Sequence, residues 1–187
     1  MTLDQYSTIL SLGSIAIFGI LFTVLVLSFL SKSIKEKLES IEYFDYLYVI
    51  LIVSSLAVAG SLIYQLTYNT PVCELCWWQR IFLYPTVIIS LVAYLWRKSK
   101  DAHINIFILS LFGFAYSCYH YYYHFRGFVL GQKIELPCSV GGLLPACTDS
   151  PILIFGFITI PFMGVMLFGS ILILSFLAYK KINNINQ

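Results

Sequence analysis

Hydrophobic residues form five long runs along the chain, separated by short polar segments. Each run reaches or exceeds the roughly 20 residues that a helix needs to cross the hydrocarbon core of a bilayer. Alternating strand patterns are absent from these runs, so the pattern predicts spanning helices. The predicted spans are residues 6–30, 44–68, 77–96, 103–126 and 151–179.

The composition agrees with a membrane location. Hydrophobic residues make up 59% of the 187 residues and charged residues only 11%, whereas an average soluble domain is about 25% charged. A net charge of +2 without a basic patch gives no sign of nucleic-acid binding. Only Asp4 is charged ahead of the first run, which is too long for a signal peptide, so we expect a retained spanning helix.

The basic residues predict the orientation. Eight of the eleven Lys and Arg residues fall in the segments after the first, third and fifth runs, which the positive-inside rule assigns to the cytoplasm. Five spans then place the N-terminus outside and the C-terminus in the cytoplasm. The eight are Lys32, Lys35, Lys37, Arg97, Lys98, Lys100, Lys180 and Lys181.

Prolines and capping residues predict where helices end, bend or begin. Pro71 should end the second span, because proline disfavours helix in the residue before it. Pro85 and Pro161 lie inside predicted spans and should kink them. Asp149 and Ser150 before Pro151 are typical of a helix start, and so predict the beginning of the fifth span. Residues 31–43 are expected to form a short amphipathic linker.

Two cysteine pairs carry the candidate chemistry. Cys73 and Cys76 are separated by two residues just before the third span, and Cys138 and Cys147 lie in the loop before the fifth. Both pairs fall on the predicted outer side, where disulfides persist. A Cys-x-x-Cys pair can close and reopen a small disulfide ring, which is redox chemistry. Cys118 lies alone inside the fourth span, where we expect a small hydrophobic residue.

Two structural alternatives remain for these cysteines. Cys138 and Cys147 could form an inert staple, but a Cys-x-x-Cys ring closes almost no chain and stabilises a fold little. The four thiols could instead hold zinc, although the eight-residue gap between Cys138 and Cys147 does not fit the usual close ligand pair.

Arg80 and His120 are the candidate polar partners of the site. Arg80 follows Cys76 by about one helical turn, within a predicted span where charge is costly to insert. Its guanidinium could extend to the lipid head groups, or it could stabilise a Cys76 thiolate or the oxygen of a reduced cofactor. His120 shares a helix face with His124, and could pack there or donate a hydrogen bond to a carbonyl cofactor.

The electron acceptor is expected to be soluble in lipid. Oxidation of two thiols releases two electrons and two protons, and the chain carries no haem or flavin motif. A quinone is soluble in lipid and accepts two electrons and two protons, and it would fit an apolar pocket beside Arg80. Trp77, Trp78 and the tyrosines around His120 are most simply an interface belt, and some could line that pocket.

Four separated segments resemble the DsbB/BdbC thiol–disulfide oxidoreductases of bacterial membranes, and the BdbC-type branch in particular. They occur in the family's order, and the similarity covers about residues 44–179. The segments are Cys73-Glu74-Leu75-Cys76-Trp77-Trp78-Gln79-Arg80, Tyr84-Pro85, Tyr119-His120-Tyr121 and Phe155-Gly156-Phe157-Ile158-Thr159-Ile160-Pro161.

The resemblance implies an all-α integral membrane fold, a four-helix transmembrane bundle plus one extra N-terminal transmembrane helix. Residues 1–43 would be the extra helix and its cytoplasmic linker, 44–179 the redox domain and 180–187 a cytoplasmic tail. It also implies location in the cell membrane, a DsbA/BdbD-like thioredoxin-fold oxidase as partner, and ubiquinone or menaquinone as cofactor.

The same resemblance implies roles for single residues. Cys138 would form the mixed disulfide with the partner, and Cys147 would exchange with Cys73. Cys76 would then face the quinone, with Arg80 assisting and His120 near. Either cysteine of the loop pair, Cys138 or Cys147, could form the mixed disulfide with the partner.

Three other functions compete with this interpretation. A CcdA-type importer of electrons would place its working cysteines within spans, where only Cys118 lies. A protein resembling vitamin K epoxide reductase would have its loop cysteines before the Cys-x-x-Cys pair, the reverse of the order here. A non-enzymatic zinc-binding membrane subunit would bind metal and reduce no quinone.

Overall fold

The fold is all-helical across the residues that the computed structural model describes, which are 2–70, 72–97, 101–131 and 152–185. These ranges contain no β-strand, only an isolated bridge between Ile154 and Ile158. A π-helical turn, Phe125–Val129, continues α5. The α-helices are α1 Leu3–Leu30, α2 Lys32–Ser40, α3 Tyr43–Leu66, α4 Glu74–Trp96, α5 Ala102–His124 and α6 Ile160–Ile185.

Five of the described helices, all except α2, are long and apolar enough to cross a membrane. Their lengths follow from near-continuous apolar sequence, since a helix satisfies all of its interior backbone hydrogen bonds within itself. The predicted class, an all-α integral membrane protein, is therefore confirmed.

Four helices form a closed ring, and a fifth lies outside it. α3 packs on α4, α4 on α5, α5 on α6, and α6 back on α3, whereas α1 packs mainly against α6. This is the predicted four-helix bundle with an extra N-terminal helix. The centre of the ring is filled by large apolar side chains that are almost completely buried, among them Leu47, Ile50, Ile106, Phe168 and Ile171.

Small residues set the closest helix contacts. A Cβ atom added to Gly113 of α5 would lie 2.3 Å from the ring of Phe168 in α6, so only glycine leaves room for that ring. Gly169 of α6 makes similar room for Phe18 of α1, where an added Cβ would come within 2.7 Å. Packing at small residues is typical of membrane helices, which have no hydrophobic driving force between them.

The two ends of the bundle differ. The cysteine end, defined by Cys73 and Cys76 at the start of α4, also contains the end of α3 and the start of α6. At the opposite end, here called the linker end, α2 joins α1 to α3. Lys181 near the end of α6 donates a hydrogen bond to the carbonyl of Glu39 in α2. The predicted linker between the first two spans is thus a short helix attached to α6.

The start of α6, the fifth span, corrects two expectations. Residues 152–159 are not helical, and α6 begins at Ile160, so the predicted start at Pro151 is wrong. A tight turn interrupts the apolar run, because Phe155 and Gly156 have positive φ angles of 51° and 79°. Ile154 and Ile158 then exchange two backbone hydrogen bonds of 2.9 Å.

Pro161 therefore lies in the first turn of α6 and does not kink the middle of a span as predicted. Its missing N–H costs nothing there, because the first N–H groups of a helix have no intrahelical acceptor. Pro85, in contrast, lies inside α4, whose helical conformation continues through it. α3 ends at Leu66, five residues before Pro71.

Candidate redox site at the start of α4

The two cysteines of the Cys-x-x-Cys motif lie on the first turn of α4. This helix begins at Glu74, three residues earlier than predicted, so Cys73 is its N-cap residue and Cys76 lies in the first turn. The backbone of Cys73 accepts the first helical hydrogen bond, from Trp77, at 3.2 Å. That geometry brings the two Sγ atoms to 3.0 Å. The partial positive charge at a helix N-terminus favours negative charge on sulfurs placed there.

His120 of α5 lies beside the sulfur of Cys73. Its Nε2 is 3.6 Å from Cys73 Sγ, and its ring is only 1% exposed. The other ring nitrogen, Nδ1, lies 3.4 Å from the amide nitrogen of Gln79. Because an amide N–H₂ group only donates, we infer that Nδ1 accepts here and assign the proton of the neutral ring to Nε2, facing Cys73. The predicted contact of His120 with a carbonyl cofactor stays a prediction.

Arg80 is held inside the protein by α3. Its side chain is 6% exposed, and its guanidinium donates to Ser61 Oγ at 2.9 Å, to the Ser61 carbonyl at 3.0 Å and to Gln65 Oε1 at 2.6 Å. The guanidinium also lies 5.3 Å from the centre of the Trp77 ring, close enough for a cation–π interaction. Burial and this set of partners disagree with a side chain that extends to the lipid head groups.

A cavity of about 520 Å³ connects Cys76 and Arg80. Cys76, Gln79 and Arg80 line it from α4 at the cysteine end, where most of its polar groups lie. Further along the helices the lining becomes apolar, with residues such as Leu56, Leu83 and Phe168. The cavity therefore has a polar end beside the cysteines and an apolar end deeper in the bundle.

The structure thus brings Cys73, Cys76, His120 and Arg80 to one end of the bundle. Cys138 and Cys147 lie outside the described residues, so their pairing and roles stay predictions. His124 is buried one turn below His120, with ring centres 6.3 Å apart.

Three polar residues of the site were not singled out from the sequence. Gln79 contacts His120, and Ser61 and Gln65 hold Arg80. Their sequence signal is a polar side chain inside an otherwise apolar span. Ser61 and Gln65 also share a helix face, because they are four residues apart.

Cys73, Cys76 and His120 form a cluster of three donors whose ligand atoms lie within 4.8 Å of one another. Zinc could use such a set. However, two sulfurs bound to tetrahedral zinc lie about 3.8 Å apart, given bond lengths of about 2.3 Å, whereas these lie 3.0 Å apart. As it stands, the geometry suits sulfur–sulfur chemistry better than a metal.

Comparison with known proteins identifies the family of the chain. The family model described as disulfide bond formation protein DsbB matches residues 45–178, which include α3 to α6 almost entirely but neither α1 nor α2. No solved structure matches the chain.

Curated relatives carry the same kind of description. A probable disulfide formation protein of Oceanobacillus iheyensis is 35% identical over 156 residues, which cover 80% of this chain and 96% of the relative. One from Coxiella burnetii is 35% identical over 134 residues, covering 70% and 82%. Probable disulfide formation protein C 1 of Bacillus cereus is 35% identical over 131 residues, covering 68% and 87%. The chain therefore belongs to the DsbB family of disulfide bond formation proteins, and is a membrane thiol–disulfide oxidoreductase.

Proposed function

We propose that this protein reoxidises a DsbA-like thioredoxin-fold partner outside the cytoplasm and passes the electrons to a membrane quinone. The observation that carries the proposal is the position of Cys76. Its Sγ atom lies 3.0 Å from Cys73 Sγ. Cys76 also lines the cavity, together with Arg80. A dithiol and a site for an apolar acceptor therefore share one residue.

The cavity fits a quinone in size and in chemistry. Its volume lies within the roughly 300–1,000 Å³ of most ligand pockets. A quinone has a flat ring with two carbonyl acceptors and an apolar tail. At the polar end, Gln79 and Arg80 supply N–H donors for a carbonyl, and a guanidinium keeps donors available after three have bound α3. When bound there, the quinone supplies an acceptor for two electrons and two protons.

The cysteines carry the electrons within the protein. Joining the thiols of Cys73 and Cys76 forms one S–S bond and releases two electrons and two protons. Exchange with a second dithiol reopens that bond and oxidises the second pair. We assign this second pair to Cys138 and Cys147, with Cys138 meeting the partner. The described chain leaves α5 and re-enters α6 at the cysteine end, which supports that assignment.

His120 and Arg80 stabilise negative charge that forms on the sulfurs or on a ligand oxygen. With its proton on Nε2, His120 can donate a hydrogen bond to a Cys73 thiolate when exchange leaves one there. Arg80 places a buried positive charge in the cavity wall, which stabilises negative charge that develops on Cys76 or on a ligand oxygen. Both residues favour the charged forms that thiol exchange requires.

The membrane assignment follows from the charge pattern. We place the protein in the cell membrane with its N-terminus outside, because the linker end carries the basic segments. The cysteine end then faces the compartment where exported proteins acquire disulfides. Family membership and the position of the motif cysteines at the very start of α4, away from the middle of a span, make an electron importer of the CcdA type the weaker hypothesis.

Oxidation of a dithiol protein with quinone as acceptor tests the proposal directly. Purified protein should reduce a benzoquinone or a naphthoquinone when supplied with a reduced thioredoxin-fold protein. Cys73→Ala and Cys76→Ala should abolish this reduction, whereas Cys118→Ala should preserve it. Retention of full activity in both motif variants would reject the proposal, as would failure of the wild type on every quinone.

A trapping experiment identifies the partner and tests the second pair. In a Cys147→Ser variant, the Cys138 thiolate can attack the disulfide of an oxidised partner, which breaks that bond and forms a mixed disulfide with Cys138. Acid quenching and alkylation of the released thiol should capture this species before the partner's second cysteine reverses the exchange. Mass spectrometry of the trapped species then names the protein. Stoichiometric zinc in the purified protein, without quinone reduction, would instead favour the zinc-binding alternative suggested by the Cys73, Cys76 and His120 cluster.

A further inference from the structure

α1 is the one spanning helix of the described chain that lies wholly outside the matched DsbB region, yet it lines the cavity beside Cys76. Six of its residues face the cavity, and their spacing is that of one face of an α-helix. They are Tyr6, Ile9, Leu10, Gly13, Ser14 and Ile17. From the first to the last, this face extends about 16 Å along the helix axis at 1.5 Å per residue.

Specific contacts hold α1 across the two ring helices that flank the cavity. The Tyr6 hydroxyl donates to the carbonyl of Gly60 in α3 at 3.0 Å. The Tyr6 ring also packs edge-on against Tyr64, with ring centres 4.9 Å apart. On the other side, Ser11 Oγ lies 3.9 Å from the sulfur of Met163 in α6. α1 therefore bridges α3 and α6 on the outside of the ring.

Along its length, α1 faces first the polar part and then the apolar part of the cavity lining. Tyr6 lies at the cysteine end, level with the Gly60 region of α3. Gly13 and Ile17 lie about 10–16 Å deeper, where the opposite wall is apolar and includes Leu56 and Phe168. A ligand with a polar ring and an apolar tail matches this change from one end to the other.

Gly13 is a place where the α1 wall leaves space. A Cβ atom added at Gly13 would meet no heavy atom within 4 Å, although the residue lines the cavity. Glycine also weakens a helix interior by about 1 kcal/mol relative to alanine, so its presence has no benefit for α1 itself.

We propose that α1 is an outer wall of the quinone cavity, and that Gly13 keeps the apolar half open for the isoprenoid tail. The proposal rests on the proposed quinone-linked function and adds a specificity element from outside the matched family region. It predicts that a larger side chain at position 13 discriminates against tailed quinones and leaves tail-free ones unaffected.

Gly13→Leu tests the proposal, and Gly19→Leu is its matched control. Gly19 is also an interior glycine of α1 with nothing within 4 Å of an added Cβ, but it does not line the cavity. The ligands are a menaquinone with an isoprenoid tail and dimethylnaphthoquinone, in which a methyl group replaces the tail. Duroquinone and decylubiquinone form the equivalent benzoquinone comparison. Binding is measured as the ligand-dependent rise in melting temperature of the full-length protein, independent of turnover.

The expected result is a loss of affinity confined to one variant and one ligand class. Gly13→Leu should bind tailed quinone at least about tenfold more weakly, or about 1.4 kcal/mol, and tail-free quinone as the wild type does. Gly19→Leu should match the wild type with both ligands, and Gly13→Ala should fall between the wild type and Gly13→Leu.

The other outcomes separate this proposal from the proposed function. Equal binding of tailed quinone by Gly13→Leu and Gly19→Leu would overturn the role of α1 and leave the quinone-linked function intact. Equal loss of both ligand classes in Gly13→Leu would overturn the assignment of Gly13 to the tail half. If the wild type bound neither class, the proposed function itself would fall, and this inference with it.

Discussion

The amide nitrogen of Gln79 lies 3.4 Å from Nδ1 of His120. This places an α4 residue that lines the cavity in contact with the histidine that faces Cys73. Because the amide donates to Nδ1, the proton of the neutral ring lies on Nε2, toward the sulfur. We therefore assign Gln79 as a positioning residue that favours this histidine tautomer from the cavity side.

Replacing Gln79 should either move the His120 ring proton to Nδ1 or remove the preference for Nε2. Gln79→Glu offers an acceptor in place of the donor, so Nδ1 becomes protonated. Gln79→Leu removes the hydrogen bond, which is worth about 1 kcal/mol, and should slow thiol exchange roughly fivefold. Nitrogen NMR of protein labelled at its three histidines reports the tautomer directly. A wild-type His120 that carries its proton on Nδ1 would contradict the assignment.

Arg80→Ala should impair quinone use more than thiol exchange. The variant removes the buried cation from the cavity wall but leaves the cysteines and His120 in place. Hydrogen bonds to charged groups contribute about 1.5–3 kcal/mol, so the KM for quinone should rise at least tenfold. Exchange with the dithiol partner, measured without quinone, should change much less.

Two further variants sharpen the Arg80 experiment. Arg80→Lys keeps the charge but cannot reproduce the forked contacts with Ser61 and Gln65, so it should recover only part of the affinity. Arg126→Ala is the control, because Arg126 bonds to Tyr122 in the last turn of its own helix, away from the cavity. Unchanged quinone kinetics in Arg80→Ala would count against the cofactor site.

The helices were predictable because bilayer-spanning segments need long apolar runs. The same runs concealed the start of α6. Residues 152–159 are as apolar as the helix that follows, and only the Phe155-Gly156 turn separates them. Hydrophobicity alone cannot distinguish an apolar turn from the first turn of a helix. Pro161, expected to bend the helix, was the better indicator of its beginning.

The site was predictable in its chemistry but only partly in its geometry. Spacing gives the proximity of Cys73 and Cys76, since both lie on one helical turn. The position of α1 over the cavity depends on long-range contacts such as Tyr6 with Gly60 and Phe18 with Gly169. α1 is apolar on all sides, so its sequence does not reveal which face packs.

Gly113→Ala should destabilise the bundle. Its new methyl group would lie 2.3 Å from the buried ring of Phe168, and overpacking of this kind costs about 1–3 kcal/mol. Gly19→Ala is the control, since open space there allows the gain of up to about 1 kcal/mol expected from helix propensity. Melting temperatures in detergent should therefore move in opposite directions. A stabilised Gly113→Ala protein would show that the α5–α6 contact is looser than described.

Cys73 and Cys76 should differ in their access from the cavity. Cys73 is buried against His120, whereas Cys76 is half-buried and lines the cavity. In variants that retain one motif cysteine each, with Cys118, Cys138 and Cys147 replaced by serine, an apolar maleimide should label Cys76 faster. Decylubiquinone should protect Cys76 more than Cys73, because it competes for the same cavity. Equal protection of the two sulfurs would mean that the ligand does not approach through this cavity. Faster labelling of Cys73 would instead show that its neighbouring histidine dominates reactivity over access.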